Sequence, residues 1–217
     1  MKIIKPRVIE VTFHYPEGYP SVERFIERVA RTCYQSEDKI GPDSDRRLLT
    51  KLIKLGHHSM FECITITARI EADRGFTHEL VRQRLASFAQ ESTRFCNPKE
   101  MIVIEQPGIV PYPSDPRWTV WRNAMYSAGN YYQKLIALGV PPEIARSVLP
   151  IGLKAEIVIT ANLREWWHIF ELRCSEKAHP IMREIVREIK DIFKTRIPYI
   201  YDGLPHDQEV IDEKENI

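Results

Sequence analysis

The nine glycines of this 217-residue chain stand at positions 18, 41, 56, 75, 108, 129, 139, 152 and 203. They are too widely spread to form the G-x-G-x-x-G turn of a dinucleotide-binding βαβ unit or the glycine-rich turn of a P-loop. A nucleotide bound by such a chain must be held without a glycine-rich cradle, which leaves side-chain cations and helix N-termini as the anion-binding groups.

Hydrophobic periodicity alternates between strand and helix without an internal repeat. Residues 7–14, RVIEVTFH, alternate as a strand and end at Tyr15-Pro16. Ser21 suits the cap of a helix whose apolar positions Val22, Phe25, Ile26, Val29, Ala30 and Cys33 keep a 3.6-residue period. A second helix starts near Ser44 and stops at Gly56. Residues 62–70, ECITITARI, read as a strand, and Thr77 as the cap of a helix THELVRQRLA over 77–86. A short strand at 101–105, a long helix over 116–138 ended by Gly139 and a short helix in PPEIARSVL follow. Then come a strand KAEIVIT, a helix LREWWHIFELR and a last helix over about 179–194, with residues from about 205 to 217 as a loose, charged tail. The pattern implies an α+β fold, helices packed on a mostly antiparallel sheet, in a single domain over 1–217.

Charge and cysteine usage narrow the function. Lys plus Arg number 31 against 30 for Asp plus Glu, so no basic excess exists to track a polynucleotide backbone, and any anion site must be local. Cys33, Cys63, Cys96 and Cys174 form no C-x-x-C pair, and the adjacent His57 and His58 lack the four-residue step of a helical metal site, so no metal is expected. No stretch of about 18 apolar residues occurs and the N-terminus lacks a signal-peptide core, which predicts a cytoplasmic protein with no membrane partner.

The stretch RQRLASFAQESTRF at 82–95 carries the chemistry. On a helix, Arg82 and Arg84 would point to different sides and address different ligands. Ser92, Thr93 and Arg94 in the following loop offer hydroxyls, backbone N–H groups and a forked cation, the donors that grip a phosphate monoester without a P-loop. Taken singly, each arginine also suits a surface salt bridge.

Arg82-Gln83-Arg84, seven residues, then Ser92 resembles the signature of flavin-dependent thymidylate synthases, usually Arg-His-Arg, seven residues, Ser. RGFTHELV before it, ESTRF after it, GHHSMFE at 56–62, GVPPEIARSVLP at 139–150 and ANLREWWHIFELR at 161–173 are similar to family sequence, in order, over roughly 20–195. The resemblance implies a homotetramer with shared active sites and a non-Rossmann flavin domain. It implies FAD as cofactor and conversion of dUMP to dTMP, with methylenetetrahydrofolate as carbon donor and NADPH as reductant. Methylation of UMP or another uridine nucleotide is the alternative, and a non-catalytic nucleotide-binding protein the more distant one.

Carried over by position, the resemblance implies a dUMP site of Glu79, Arg82, Gln90, Glu91, Ser92, Thr93, Arg94, Arg146 and Arg173. It implies flavin contacts from His57, Ser59, Glu62, Arg82, Gln83, Arg84, Gln90, Asn162, Arg164 and His168. Asn162 also suits a helix cap, Trp166 and Trp167 a core, and His168 a packing position. Arg173 takes the catalytic role, polarising the pyrimidine so that C5 becomes nucleophilic. Ser92 fits a phosphate contact better than a nucleophile because no histidine base stands near it in sequence, and nothing argues for a reactive Cys96. The chain departs from the family at Gln83, where histidine is usual, and at Lys177, His179 and Pro180.

Overall fold

A computed structural model describes residues 1–94, 100–109 and 114–201; Cys96 and the tail lie outside the described residues. In chain order the elements are β1 (Lys2–Ile4), β2 (Arg7–His14), α1 (Val22–Thr32), α2 (Ser44–Lys54), a 3-10 turn at Ser59–Cys63, β3 (Thr65–Asp73), α3 (Arg74–Leu80) and β4 (Ala86–Gln90). After these come β5 (Ile102–Ile104), α4 (Pro116–Ala137), α5 (Pro142–Ala145), β6 (Lys154–Asn162), α6 (Leu163–Arg173), α7 (Pro180–Arg196) and α8 (Pro198–Tyr201). The class is α+β. An antiparallel sheet has the order β2-β3-β6-β4, and β1 pairs in parallel with β5 in register Lys2↔Ile102, Ile3↔Val103 and Ile4↔Ile104.

The local chemistry explains most boundaries. Ser21 caps α1 by accepting from the Arg24 amide at 3.2 Å, as its position before the apolar period requires. Gly139 follows α4 with φ of 81°, the left-handed conformation that ends a helix at low cost in glycine. Every second residue of β6 is buried, Ala155, Ile157, Ile159 and Ala161, the period of a strand with one face in the core.

Three boundaries differ from the sequence reading. The helix expected over 77–86 is α3, capped by Asp73 and not by Thr77: Asp73 Oδ1 accepts from the Phe76 amide at 2.7 Å. It ends at Leu80, and residues 86–90 form β4, whose ladder pairing outweighs the weak helical period of 81–86. The strand expected at 62–70 runs from Thr65 to Asp73, because residues 59–63 take the 3-10 turn.

Contacts divide the chain into two compact units. The first is Met1–Ile9, Arg69–Arg84 and Phe88–Val158; the second is Glu10–Ala68, Leu85–Ser87 and the chain from Ile159 onward. In the first unit, Met101, Val103 and Leu153 form an apolar cluster with Ile3, Trp121, Met125 and Leu149 packed against it. In the second, Trp166, Phe170 and Phe193 pack ring on ring, and Trp166 Nε1 donates to the Ile66 carbonyl at 3.1 Å.

The second unit also buries charge. Glu27 is fully enclosed on α1, and its carboxylate accepts from Arg31 Nε and Nη2 at 2.9 and 2.8 Å and from Arg24 Nη1 at 3.0 Å. Arg24 in turn bridges to Asp45 on α2 at 3.3 Å. Removing one partner of such a network strands the others in low dielectric. Glu27→Ala is therefore expected to lower unfolding free energy by about 3 kcal/mol, measured by urea denaturation.

Candidate functional site

In the first unit, a line of alternating charge crosses the sheet. Arg7 on β2 donates to Glu71 on β3 at 2.8 Å, and Lys154 on β6 lies 3.7 Å from Glu71 and 2.9 Å from Glu91 just past β4. The Glu156 amide also donates to Glu91 Oε2 at 3.1 Å, and the Glu91 amide donates to the Glu156 carbonyl at 2.9 Å. Glu91 is thus bound to β6 through both side chain and backbone, so the residues after it leave the sheet from a fixed point.

Those residues are Ser92, Thr93 and Arg94. The Arg94 amide donates to Ser92 Oγ at 3.2 Å, folding the segment into a tight turn. Arg146, at the end of α5, donates from Nη1 to Thr93 Oγ1 at 3.2 Å and from Nε to the Glu143 carbonyl at 3.2 Å. Arg94 Nη2 stands 3.4 Å from Glu143 Oε2, with both side chains about half exposed. Two guanidinium groups and two hydroxyls therefore gather around one turn, the donor set that fits a dianionic phosphate.

Upstream of this turn, Arg82 and Arg84 are exposed while Gln83 between them is 4% exposed. All three lie in the turn joining α3 to β4 and not on a helix: the Arg82 amide donates to the Glu79 carbonyl and the Gln83 amide to the Leu80 carbonyl, closing α3. The two arginines do not have the opposed faces that a helix would give them. Glu79 is half-buried on the last turn of α3, and Gln90 Nε2 donates to Thr77 Oγ1 at 2.9 Å.

The second unit carries the other group. His57 and Ser59 are exposed where Gly56, with φ of 71°, turns the chain into the 3-10 turn. Glu62 in that turn accepts from Arg164 Nη1 at 2.6 Å, a pairing across 102 residues. Asn162 Oδ1 accepts from the Glu165 amide at 2.8 Å and caps α6. Arg164, His168 and Glu171 then follow at helical spacing as an exposed stripe, with His168 Nδ1 3.8 Å from Glu171 Oε2. Trp166 and Trp167 face the core, and the His58 ring packs edge-on against Trp167 at 5.2 Å. Arg173 ends α6, half-buried.

The sequence model of the family described as thymidylate synthase complementing protein matches residues 16–199. The flavin-dependent thymidylate synthase of Geobacter sulfurreducens is 34% identical over 190 residues, covering 84% of this chain and 82% of that protein. The protein of the same name from Corynebacterium aurimucosum is 30% identical over 210 residues, 88% of this chain and 84% of its own. That from Pyrococcus abyssi is 35% identical over 155 residues, 70% of this chain and 63% of its own.

The chain belongs to the flavin-dependent thymidylate synthase family. Its family stretches fall on the two groups just described: ESTRF and GVPPEIARSVLP supply the turn and its arginine, GHHSMFE and ANLREWWHIFELR the Glu62–Arg164 pair and the α6 stripe. Pro180 takes the first position of α7 with His179 before it, where a missing N–H costs nothing. Glu143 and Lys154 were missed from sequence. Glu143 stands three residues before Arg146 inside GVPPEIARSVLP, and that spacing was the available signal; Lys154 reads only as a polar strand position.

Glu143 competes with any anion for Arg94. Glu143→Gln is expected to tighten binding of a nucleoside monophosphate by up to about fivefold, as the loss of an exposed ion pair allows, measured by isothermal titration calorimetry.

Proposed function

We propose that this family member converts dUMP to dTMP, with FAD bound, methylenetetrahydrofolate as carbon donor and NADPH as reductant. The observation that carries the reading is the Ser92–Arg94 turn met by Arg146 from a distant segment, a built phosphate grip without a glycine-rich loop. Ser92, Thr93, Arg94 and Arg146 take the phosphate of dUMP. Glu79, Arg82 and Gln90 line its nucleoside side; Gln90 has its amide nitrogen committed to Thr77 and offers its oxygen. Glu91 acts through the strand: its carboxylate is already engaged by Lys154 and the Glu156 amide, so it anchors the turn.

Exposed Arg82, Arg84 and Arg164, with His168, fit FAD because a diphosphate held without a glycine-rich turn needs forked cations. His57, Ser59, Glu62, Gln83, Gln90 and Asn162 complete the set. Asn162 spends its oxygen on capping α6 and keeps its amide N–H groups as donors. Bound flavin supplies the hydride that turns the transferred methylene into a methyl group.

Arg173 performs the polarising step. A guanidinium beside the pyrimidine stabilises negative charge developing in the ring, which raises electron density at C5 for attack on the methylene. Its planar fork presents two parallel donors.

The assembly is a homotetramer with shared active sites. Support comes from α4, 22 residues long, of which only Tyr132 is buried while Val120, Tyr126 and Tyr131 are exposed. An apolar surface of that extent on one helix is ordinarily covered by another chain. We place the protein in the cytoplasm; among the described residues no helix is long and apolar enough to cross a membrane.

Purified protein should carry oxidised-flavin absorbance, sediment as a tetramer and form dTMP; colourless, inactive protein after FAD addition would contradict the reading. Arg173→Lys keeps the charge and loses the fork. It is expected to slow dTMP formation on the order of a hundredfold, equivalent to roughly 3 kcal/mol of transition-state stabilisation. NADPH should still reduce the flavin, because uracil takes no part in that half-reaction. Equal losses in both half-reactions, measured separately by stopped flow, would remove Arg173 from the pyrimidine.

A further inference from the structure

One guanidinium in the first unit is left unmatched by the charges around it. Arg74 Nη1 is enclosed by protein and has no hydrogen-bond partner among the described residues. The backbone of Arg74 is committed: its N–H is shared between the carbonyls of Ile151 and Leu153, each at 3.1 Å, and its own carbonyl accepts from Thr77 Oγ1 at 3.1 Å. The backbone is fixed while Nη1 is without a partner among the described residues.

Nearby carboxylates are already matched. Glu71 is paired with Arg7 and Lys154, Glu91 with Lys154, and Glu100 with the N-terminal ammonium at 3.1 Å. Leaving a buried donor of this kind unpaired is costly, which favours an acceptor beside it.

Room for an anion lies beside the residue. Arg74 lines a cavity of about 50 Å³ together with Glu91, Ser92, Thr93 and Lys154, more room than one water requires. Ser92 and Thr93 are the hydroxyl residues of the turn assigned above to the substrate phosphate. That turn's own cations are partly engaged, Arg94 by the Glu143 carboxylate and Arg146 by Thr93 and the Glu143 carbonyl. A phosphate monoester brings close to two negative charges at neutral pH. We infer that Arg74 is a further ligand of the nucleotide's phosphomonoester, reaching it from α3 through the cavity it shares with Ser92 and Thr93. The inference rests on the proposed dUMP reaction and adds to it a binding residue outside the Arg82–Arg94 stretch.

The test compares the flavin-loaded wild-type protein with Arg74→Gln and Arg74→Lys by calorimetric titration with dUMP and, as a phosphate-free control, deoxyuridine. Loss of a charged, bidentate contact is expected to weaken dUMP roughly a hundredfold in Arg74→Gln and about tenfold in Arg74→Lys. Deoxyuridine should bind alike in all three, and flavin content should be equal. Inorganic phosphate should compete with dUMP in the wild type and lose that effect in Arg74→Gln. If Arg74→Gln does not fold, Arg74→Lys decides. Affinity for dUMP within twofold of wild type in the folded variant would overturn the inference and leave the cavity to water. Wild-type protein that fails to bind dUMP at all would overturn the proposed reaction itself, and this inference with it.

Discussion

The side chain of Lys154 joins Glu71 to Glu91, and the rest of the candidate site depends on that junction. Arg7, Glu71, Lys154 and Glu91 alternate in sign in the same order as strands β2, β3, β6 and β4 lie in the sheet. Each carboxylate thereby has a cation, and the half-buried ones need it. The consequence for function is mechanical. Glu91 is the last residue before the Ser92–Arg94 turn, so the turn proposed to hold a phosphate begins from a side chain locked to the sheet. Proteins with a glycine-rich loop obtain a phosphate cradle from the backbone; the one proposed here is built from ion pairs and arginines.

The same logic governs the second unit. Glu62 and Arg164 are 102 residues apart and bond at 2.6 Å, placing the 3-10 turn against the start of α6. Asn162 fixes where that helix begins, and once the start is fixed the 3.6-residue period puts Arg164 and His168 on one exposed stripe and Trp166 and Trp167 in the core. A cap, a pair and a period thus present Arg164 and His168.

Much of the fold was legible because periodicity is a local property: β2 has the bounds its alternation gives it, and α1, α2, α4, α6 and α7 lie close to the ranges read from the sequence, with side-chain caps at α1 and α6. What escaped depended on distant partners. β1 is three residues long and exists through pairing with β5, about a hundred residues away. β4 escaped because Arg82 to Ala86 continue a plausible helix and residues 87–90 read as the loop after it, and only its place beside β6 makes it a strand. At the site, Ser92, Thr93, Arg94 and Arg146 were legible through motif resemblance, and the structure adds that they meet. Glu143, Lys154 and Arg74 were not, since a carboxylate, a lysine on an alternating strand and an arginine at a helix start all read as surface charges until their partners, or the lack of one, are known.

The account stands or falls on whether the chain couples flavin oxidation to methylation of a nucleotide. The direct measurement is a single anaerobic turnover: protein carrying reduced flavin is mixed with dUMP and methylenetetrahydrofolate, with flavin absorbance followed and products identified by mass. The account predicts dTMP formed in step with flavin oxidation, one for each flavin oxidised, and none when dUMP or the folate is left out. Flavin that stays reduced while all three are present, or dTMP that forms without flavin oxidation, would contradict it.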